Sequence, residues 1–328
     1  MMHKKLLYIP ELHSPLGSFI KEYIERKRAL HFKFNAEAFV LGRFDKYCLS
    51  AGITAPVLTK ELLTAWSNRF PDENETSHYL RIRVVRAFCI FLHNCGHNTP
   101  KMFHPLPSPS HSFKPYIFSH DEINALFKSI DENSRIKRTV SPIRHLVIPI
   151  MFRTIYGCGL RVAEATHLKT CDVNLFEGTA SIKDTKNNCD RMVAFSSSLA
   201  DIIRSYGKRQ EITSFGSKYF FPAPDRGYYS NSTIYNIFRD CLFYAGIPHG
   251  GRGKGPRLHD LRHSFAVHTL SNWQRNGKDT YVCLPILSAY MGHQNLYETQ
   301  KYLRLVPESY KELTEIFCQK FPNIFPEA

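Results

Sequence analysis

The chain has 328 residues, a length that suggests about two domains, and 43% of them are hydrophobic, which is ample for buried cores. Lysine and arginine outnumber aspartate and glutamate by 43 to 29, and the formal net charge of +14 favours a polyanionic partner. Nine widely spaced cysteines without a Cys-x-x-Cys pair indicate reduced, packed thiols, and the apolar run at residues 6–10 is too short for a signal peptide or a membrane span. We therefore expect a soluble cytoplasmic protein that does not bind a membrane.

Residues 14–97 are predicted to form four helices. Apolar side chains recur at helical spacing in three short stretches, represented by Ile20, Phe44 and Trp66, and in a longer stretch at 75–97. Four helices of this length make a small all-α domain, which we assign to residues 1–103.

Residues 104–117 are predicted to be an extended interdomain linker, because they contain four prolines and show no periodicity. The next residues, Ser119 to Glu122, have the pattern of a capping box and predict a helix that continues to about Ile130. A second domain therefore begins near residue 118 and is assigned to residues 118–328.

The second domain combines helices with a small sheet. A helix is predicted after Pro142 and is broken by Gly157 and Gly159, and short β-type runs within 173–195 predict a small antiparallel sheet with polar turns. Helical patterns follow at about 197–212, 231–245, 259–272, 282–291, 295–304 and 309–320.

Residues suited to phosphodiester chemistry occur in a fixed order in this domain. They are Gly159-Leu160-Arg161 with Glu164, Lys186 before Arg191, His259-x-x-Arg262-His263, and Gly292-His293 with Tyr302 nine residues later. The planar arginine fork donates two parallel hydrogen bonds to a phosphoryl group and stays charged. Two arginines, a lysine, two histidines and a tyrosine therefore predict attack on a phosphodiester by a side-chain hydroxyl, with no metal required. The net charge of +14 makes DNA the expected substrate.

In this order and spacing, the residues resemble the motifs of the tyrosine recombinase (phage integrase) family. The resemblance covers about residues 117–320, and the preceding domain is similar to the family's four-helix, SAM-like core-binding domain in size and class only. It implies an integrase-like, mainly α fold with a mixed α/β catalytic domain that contains a small antiparallel sheet. The spacing between Arg262 and His293 is longer than in many members, so we predict an extra loop at 273–281.

Each matched residue has a predicted role. Arg161 and Arg262 are expected to clamp the non-bridging oxygens in the transition state, as preorganised electrostatic stabilisers. Tyr302 is the expected nucleophile, and because a phenol has a pKa of about 10 it must lose its proton to a base. His259 is expected to accept or relay that proton, and His293 to donate a hydrogen bond to a non-bridging oxygen.

The remaining roles have rivals in the sequence. Lys186 is expected to protonate the leaving 5′ oxygen, and Lys183, three residues earlier, is the alternative. Glu164 either orients an arginine or is an ordinary exposed helix carboxylate. The tyrosines that compete with Tyr302 as nucleophile are Tyr290, Tyr297 and Tyr310.

Two other patterns are weaker. The set His93, Cys95, His97 and His104 has the residue types of a metal site but not the spacing of a zinc ribbon or finger, so a helix end with a glycine cap is favoured. The glycine-rich basic segment at 250–255 lacks the ending of a phosphate-binding loop and is interpreted as a contact with the DNA backbone.

The resemblance implies a site-specific recombinase, a DNA strand transferase that acts on double-stranded DNA through a 3′-phosphotyrosyl intermediate, without metal, ATP or another cofactor. Such enzymes act on two DNA sites, so we expect a homotetramer or a heterotetramer with a related recombinase, docked through a helix at 310–321. Integration or transposition of a mobile element and association with the nucleoid are further expectations. A type IB topoisomerase-like enzyme and a non-catalytic DNA-binding regulator on the same fold are the alternatives.

Overall fold

The computed structural model describes residues 7–100, 115–136, 143–183, 190–251 and 255–306. The chain divides into two compact units, Met1–Phe113 and Lys114–Ala328. Helices predominate, and the described strands form a three-stranded antiparallel sheet, which confirms the predicted fold class. The predicted helix at 309–320 and most of the predicted linker lie outside the described residues. No helix in the described ranges is long and apolar enough to span a membrane.

The first unit contains the four predicted helices. They are α1 (Gly17–Ala29), α2 (Asn35–Ser50), α3 (Lys60–Ser67) and α4 (Glu75–Asn94). The side chains of Thr59 and Asn74 accept hydrogen bonds from backbone N–H groups in the first turns of α3 and α4, which fixes where these helices begin. Their apolar faces meet in one core that includes Ile20, Phe44 and Trp66.

The segment after α4 is a helix end. Cys95 caps α4, and Gly96 adopts a left-handed backbone with φ of +89°, which ends the helix. His97 packs edge-on against Phe19, with ring centroids 4.5 Å apart. This agrees with the glycine-cap interpretation, and no group of three or more potential metal ligands occurs within the described ranges.

The second unit contains nine described helices, two 3₁₀ turns and the sheet. In chain order the elements are α5 (His120–Ile136), α6 (Arg144–Gly157), α7 (Val162–Thr166), a 3₁₀ turn (Thr170–Asp172), β1 (Val173–Asn174), β2 (Thr179–Ile182), β3 (Arg191–Ala194), α8 (Ser197–Gly207), α9 (Gln210–Thr213), α10 (Asn231–Tyr244), α11 (Asp260–Arg275), α12 (Thr280–Met291), α13 (Leu296–Gln300) and a 3₁₀ turn (Lys301–Leu305).

The predicted capping box opens α5. Ser119 Oγ accepts from the backbone N–H of Glu122 at 3.1 Å, and the Ser119 N–H donates to Glu122 Oε2 at 2.8 Å. The helix ends at Ile136 rather than at the predicted Ile130. The Phe118 N–H donates to Ser264 Oγ at 2.9 Å, so the residues just before α5 are attached to α11.

The sheet is antiparallel, with strand order β1-β2-β3. Val173 pairs with Ala180, and Ile182 pairs with Arg191. The alternate residues Ala180, Ile182 and Val193 are buried in the core, as the two-residue period of a half-buried strand requires. Strand β3 begins at Arg191. The segment just before it contains Lys186, which lies outside the described residues.

The loop predicted at 273–281 is shorter than expected. Helix α11 continues to Arg275 and α12 begins at Thr280, so the connection consists of residues 276–279. Asp279 Oδ1 accepts from the backbone N–H of Tyr281 at 2.8 Å and caps α12. The helix predicted at 295–304 is instead α13 followed by a 3₁₀ turn, and that turn carries Tyr302.

Gly159 connects α6 to α7 with a left-handed backbone, at φ of +58°. A Cβ atom at this position would lie 2.4 Å from Cδ1 of Phe265 on α11. Glycine is therefore required at this position for two reasons, the left-handed backbone conformation and the close approach of α11.

We predict that Gly159→Ala lowers the free energy of unfolding by about 2–5 kcal/mol, because left-handed strain of about 1–2 kcal/mol adds to an overpacking cost of about 1–3 kcal/mol. Gly277→Ala is the matched control, since Gly277 has φ of +69° but no atom within 4 Å of a Cβ. Urea unfolding followed by circular dichroism measures both. Equal losses in the two variants would contradict a collision with Phe265.

Candidate active site

Four segments of the second unit contribute to the candidate site. The start of α7 supplies Arg161 and Glu164, and β3 supplies Arg191. Helix α11 supplies Arg262 and His263. The segment from the end of α12 to the last 3₁₀ turn supplies His293 and Tyr302. Interactions between side chains and backbone bring these segments together.

Arg161 donates two hydrogen bonds to the Glu164 carboxylate at the start of α7. The Arg161 backbone N–H donates to Glu164 Oε2 at 2.9 Å, and its Nη1 donates to Glu164 Oε1 at 2.8 Å. Glu164 is buried, with 5% of its side chain exposed, so the interpretation as an ordinary exposed helix carboxylate is wrong. The carboxylate instead orients Arg161.

The carboxylate of Glu164 also accepts hydrogen bonds from a second arginine. Arg191 donates from Nη1 to Oε1 at 3.0 Å and from Nη2 to Oε2 at 2.8 Å, a two-pronged ion pair. Arg262 Nη1 lies 4.0 Å from Oε2. Burial alone would raise the pKa of Glu164, but the hydrogen bonds and charge of Arg191, helped by Arg161, outweigh it and hold the pKa at about 2.

The same three arginines bind the C-terminal end of α12. Successive backbone carbonyl oxygens of residues 290, 291 and 292 accept from Arg191 Nε at 2.8 Å, Arg262 Nη2 at 2.6 Å and Arg161 Nη2 at 3.3 Å. These carbonyls lack partners within the helix and carry its partial negative charge. The carbonyl oxygens at the end of α12 and the carboxylate of Glu164 thus together stabilise the positive charges of the three arginines.

Arg262 is the most enclosed of the three, with 1% of its side chain exposed. Its Nη1 donates to the carbonyl oxygen of Gly159 at 2.6 Å, in addition to the Nη2 bond to α12. Burial, followed by the charge of Arg161, lowers the pKa of Arg262 to about 10, so it stays positive at neutral pH. A guanidinium has five N–H groups, so further donors remain for a phosphate oxygen.

Tyr302 lies within this group of charges and is 5% exposed. Its hydroxyl forms a 2.7 Å hydrogen bond with Nδ1 of His263. The ring of His293 stacks on the tyrosine ring with centroids 6.2 Å apart. Burial raises the pKa of Tyr302 to about 12, although the charge of Arg262 acts in the opposite direction.

The histidine at the Tyr302 hydroxyl is not the one predicted from the sequence. His259, the predicted proton acceptor, is exposed immediately before α11, and its ring lies edge-on to His263 at a centroid distance of 4.8 Å. Burial, followed by the charges of His259 and Arg262, lowers the pKa of His263 to about 3, which keeps its imidazole neutral.

His293 follows the left-handed Gly292 that ends α12. Its Nδ1 forms a 2.6 Å hydrogen bond with the hydroxyl of Thr299, which fixes the ring orientation. Burial, followed by the charges of Arg262 and Arg161, lowers its pKa to about 3. A neutral His293 held in this way can donate from only one ring nitrogen.

The rival tyrosines in the described residues have other contacts. The Tyr290 hydroxyl donates to the carbonyl of Ala194 at 3.0 Å, and its ring stacks on Phe265. Tyr297 is 68% exposed, with the ammonium of Lys301 5.1 Å from its ring centroid. Tyr310 lies outside the described residues.

Of the two candidate lysines, only Lys183 is described. Its Nζ forms a 2.6 Å ion pair with Asp172 Oδ1, and this hydrogen bond raises its pKa. A lysine held by a carboxylate gives up its proton less readily, which weakens Lys183 as a general acid. Lys186 remains a prediction.

Arg191 and His263 lie in the motifs of the sequence, but the motifs alone predict no role for either residue. Arg191 served only to locate the predicted lysine, and a charged residue at the start of a short strand gives no signal of burial. His263 directly follows Arg262, one helical turn after His259, and that spacing could have suggested a second histidine on the same face.

The sequence profile of the phage integrase family matches residues 117–308, more than half of the chain. A protein of Sinorhizobium fredii (strain NBRC 101917 / NGR234) named "Putative integrase/recombinase y4rB" is 32% identical over 300 residues, which cover 89% of this chain and 94% of that protein. The chain belongs to the phage integrase family.

Solved structures show the same fold. The XerH site-specific recombinase bound to palindromic difH substrate, in a post-cleavage complex, has a TM-score of 0.61 at 17% identity, covering 86% of this chain and 79% of that chain. A lambda integrase tetramer bound to a Holliday junction has a TM-score of 0.58 at 14% identity, covering 85% and 77%. At these identities the likeness concerns the fold alone.

We predict that Glu164→Gln lowers the free energy of unfolding at pH 7 by about 3–5 kcal/mol, because it leaves buried arginines without their counter-charge. The wild-type advantage should be complete above the ordinary glutamate pKa of about 4.3 and disappear as the pH falls toward the folded-state pKa of about 2. Urea unfolding across this pH range measures the difference.

The control is Glu22→Gln, which removes the exposed ion pair between Glu22 and Arg26. Such a pair contributes about 0–1 kcal/mol. The electrostatic role of Glu164 would be contradicted if Glu164→Gln lowered the free energy of unfolding as little as Glu22→Gln does, or by an amount that does not change with pH.

Proposed function

We propose that this protein is a site-specific DNA recombinase that cuts and rejoins double-stranded DNA through a covalent link to Tyr302. The observation that carries the proposal is the position of the Tyr302 hydroxyl, which is hydrogen-bonded to His263 beside the buried side chains of Arg191 and Arg262. Membership of the phage integrase family supports the reaction class. The net charge of +14 supports a nucleic-acid substrate.

The chemistry follows from charge and geometry. As Tyr302 attacks, a bond forms between its oxygen and phosphorus, and negative charge grows on the non-bridging oxygens. Arg161 and Arg262 are already held in place by Glu164 and by backbone carbonyls, so they stabilise that charge without reorganising. His293, fixed by Thr299, supplies a further hydrogen bond.

The second half of the step is departure of the 5′ oxygen. The bond between phosphorus and this oxygen breaks, and the oxygen takes a proton from a general acid, a role we assign to Lys186. The product is a 3′-phosphotyrosyl link and a free 5′-hydroxyl. Attack by the 5′-hydroxyl of another strand reverses the chemistry and rejoins the DNA, so neither ATP nor a metal ion takes part in the proposed cycle.

Strand exchange between two DNA sites requires several active sites. The lambda integrase neighbour is a tetramer on a Holliday junction, and XerH was solved on its DNA site after cleavage. By analogy of fold, we propose that four copies of this chain, or copies of it with a related recombinase, assemble on two DNA sites. Exposed His259 is then placed to meet the DNA backbone.

We predict that Tyr302→Phe abolishes covalent attachment to DNA and leaves DNA affinity nearly unchanged, because only a hydroxyl is lost while binding arises from many cationic contacts. A nicked suicide substrate traps the covalent complex, and mapping the linked peptide identifies the tyrosine. Tyr297→Phe is the control and should retain attachment. A link at Tyr290, Tyr297 or Tyr310 would overturn the assignment.

We also predict that Lys186→Ala slows cleavage of a normal phosphodiester by about 10²–10⁴-fold, the range for a general acid. A substrate whose bridging 5′ oxygen is replaced by sulfur should largely restore the rate, because that group leaves without protonation. Lys183→Ala is the control and should show a small defect without selective rescue. Selective rescue of Lys183→Ala instead would assign the acid to Lys183.

A further inference from the structure

A carboxylate lies behind the histidine that binds Tyr302. Asp260 is the first residue of α11 and is 1% exposed. Its Oδ1 lies 4.0 Å from Nε2 of His263, one helical turn away. Its Oδ2 accepts from the backbone N–H of Arg257 at 2.7 Å. Oδ1 is buried and is the carboxylate oxygen nearest the imidazole of His263.

We propose that Tyr302, His263 and Asp260 form a proton relay, in which His263 removes the proton of Tyr302 and Asp260 orients and stabilises the resulting imidazolium. This inference rests on the proposed function of Tyr302 as the nucleophile. His263 is then a catalytic residue, because it contacts a reacting atom. Asp260 acts through His263 and is a positioning residue.

The surroundings of His263 favour one tautomer. Nε2 lies 4.0 Å from a carboxylate oxygen of Asp260, and the negative charge of the ionised carboxylate favours the ring proton on Nε2. Nδ1 then carries a lone pair and accepts from the hydroxyl at 2.7 Å. This is the arrangement that a general base needs before the reaction.

The proton balance is simple. As the bond between the Tyr302 oxygen and phosphorus forms, the phenolic proton moves to Nδ1 of His263. The imidazolium has a second N–H on Nε2, which lies 4.0 Å from the Asp260 carboxylate, and the charge of this carboxylate stabilises it. The leaving 5′ oxygen takes its proton from a different group, the proposed Lys186.

The groups around Asp260 decide when it is ionised. Burial raises the pKa of Asp260 to about 6, while the N–H and charge of Arg257 and the backbone N–H of Tyr116 act in the opposite direction. On the far side, His263 contacts Tyr302 and lies near His259. Arg262 and His293 also oppose a charge on His263, so it needs the carboxylate to become protonated.

The consequence is a defined pH dependence. Below about pH 6 Asp260 is protonated and no longer stabilises the imidazolium, so cleavage by the wild-type enzyme should slow as the pH falls. In Asp260→Asn the side chain is neutral at every pH. This variant should be slower by about 10–100-fold near pH 7.5 and should lose the acid limb.

The experiment measures single-turnover covalent attachment to a nicked suicide substrate at saturating protein, between about pH 5 and 8. His263→Gln should be slower by about 10²–10⁴-fold at all these pH values, and the bridging-sulfur substrate should not rescue it or Asp260→Asn, since neither residue is the acid. Circular dichroism and thermal melting report whether each variant is folded.

The chain offers a matched control on the same helix. Nδ1 of His268 forms a 2.7 Å hydrogen bond with the hydroxyl of Tyr156, the same pair at the same distance. His268→Gln should affect stability much as His263→Gln does and leave cleavage unchanged. If both histidine variants slow cleavage equally, the contact of His263 is structural and the relay is overturned.

A second measurement does not depend on the Asp260 or His263 variants. In wild-type protein labelled with ¹⁵N-histidine, the His263 signal, assigned as the one that moves in Tyr302→Phe, should show the proton on Nε2. A proton on Nδ1 would overturn the relay. The relay would also be overturned if the wild-type enzyme forms its link at Tyr302 but Asp260→Asn keeps the acid limb of the pH profile. If no link forms at Tyr302 at all, the proposed function itself is overturned.

Discussion

The site depends on holding three guanidinium groups together in a largely buried space. Arg161, Arg191 and Arg262 repel one another, and burial adds the cost of removing them from water. Glu164 offsets one full charge, with two arginines bonded to it and the third at 4.0 Å. The last carbonyls of α12 offset more. A net positive charge remains, and that excess is what a phosphodiester would neutralise.

This constraint also explains how distant parts of the sequence are brought into register. Each arginine connects its own segment to the end of α12, so the positions of α7, β3 and α11 are set relative to one another. Gly159 permits the closest approach, because a side chain there would collide with Phe265. Gly292 then turns the chain in a left-handed conformation and directs His293 and the 3₁₀ turn back toward the arginines.

Local signals in the sequence were sufficient for most of the fold. The capping box at Ser119, the glycine after α4 and the alternation in β2 act within a few residues, so a single segment reveals them. The helix predicted at about 259–272 was found as α11, but its last residues up to Arg275 were assigned to a loop, because spacing alone does not distinguish added helical residues from a loop. Motif spacing located Arg161, Arg262 and Tyr302, but whether His259 or His263 meets the hydroxyl depends on side-chain direction, which only the assembled fold determines.

In the proposed mechanism, the electrostatics of the site link binding of the phosphodiester to activation of Tyr302. In the absence of DNA, burial and the charge of Arg262 keep His263 and His293 neutral, so each imidazole has one ring nitrogen with a free lone pair. A bound phosphodiester adds a negative charge beside the arginines and weakens the field that opposes an imidazolium. The proton affinity of His263 therefore rises when the phosphate arrives. In the proposed mechanism the basicity of His263 increases only when the phosphodiester is bound. Tyr302 therefore keeps its proton in the absence of DNA.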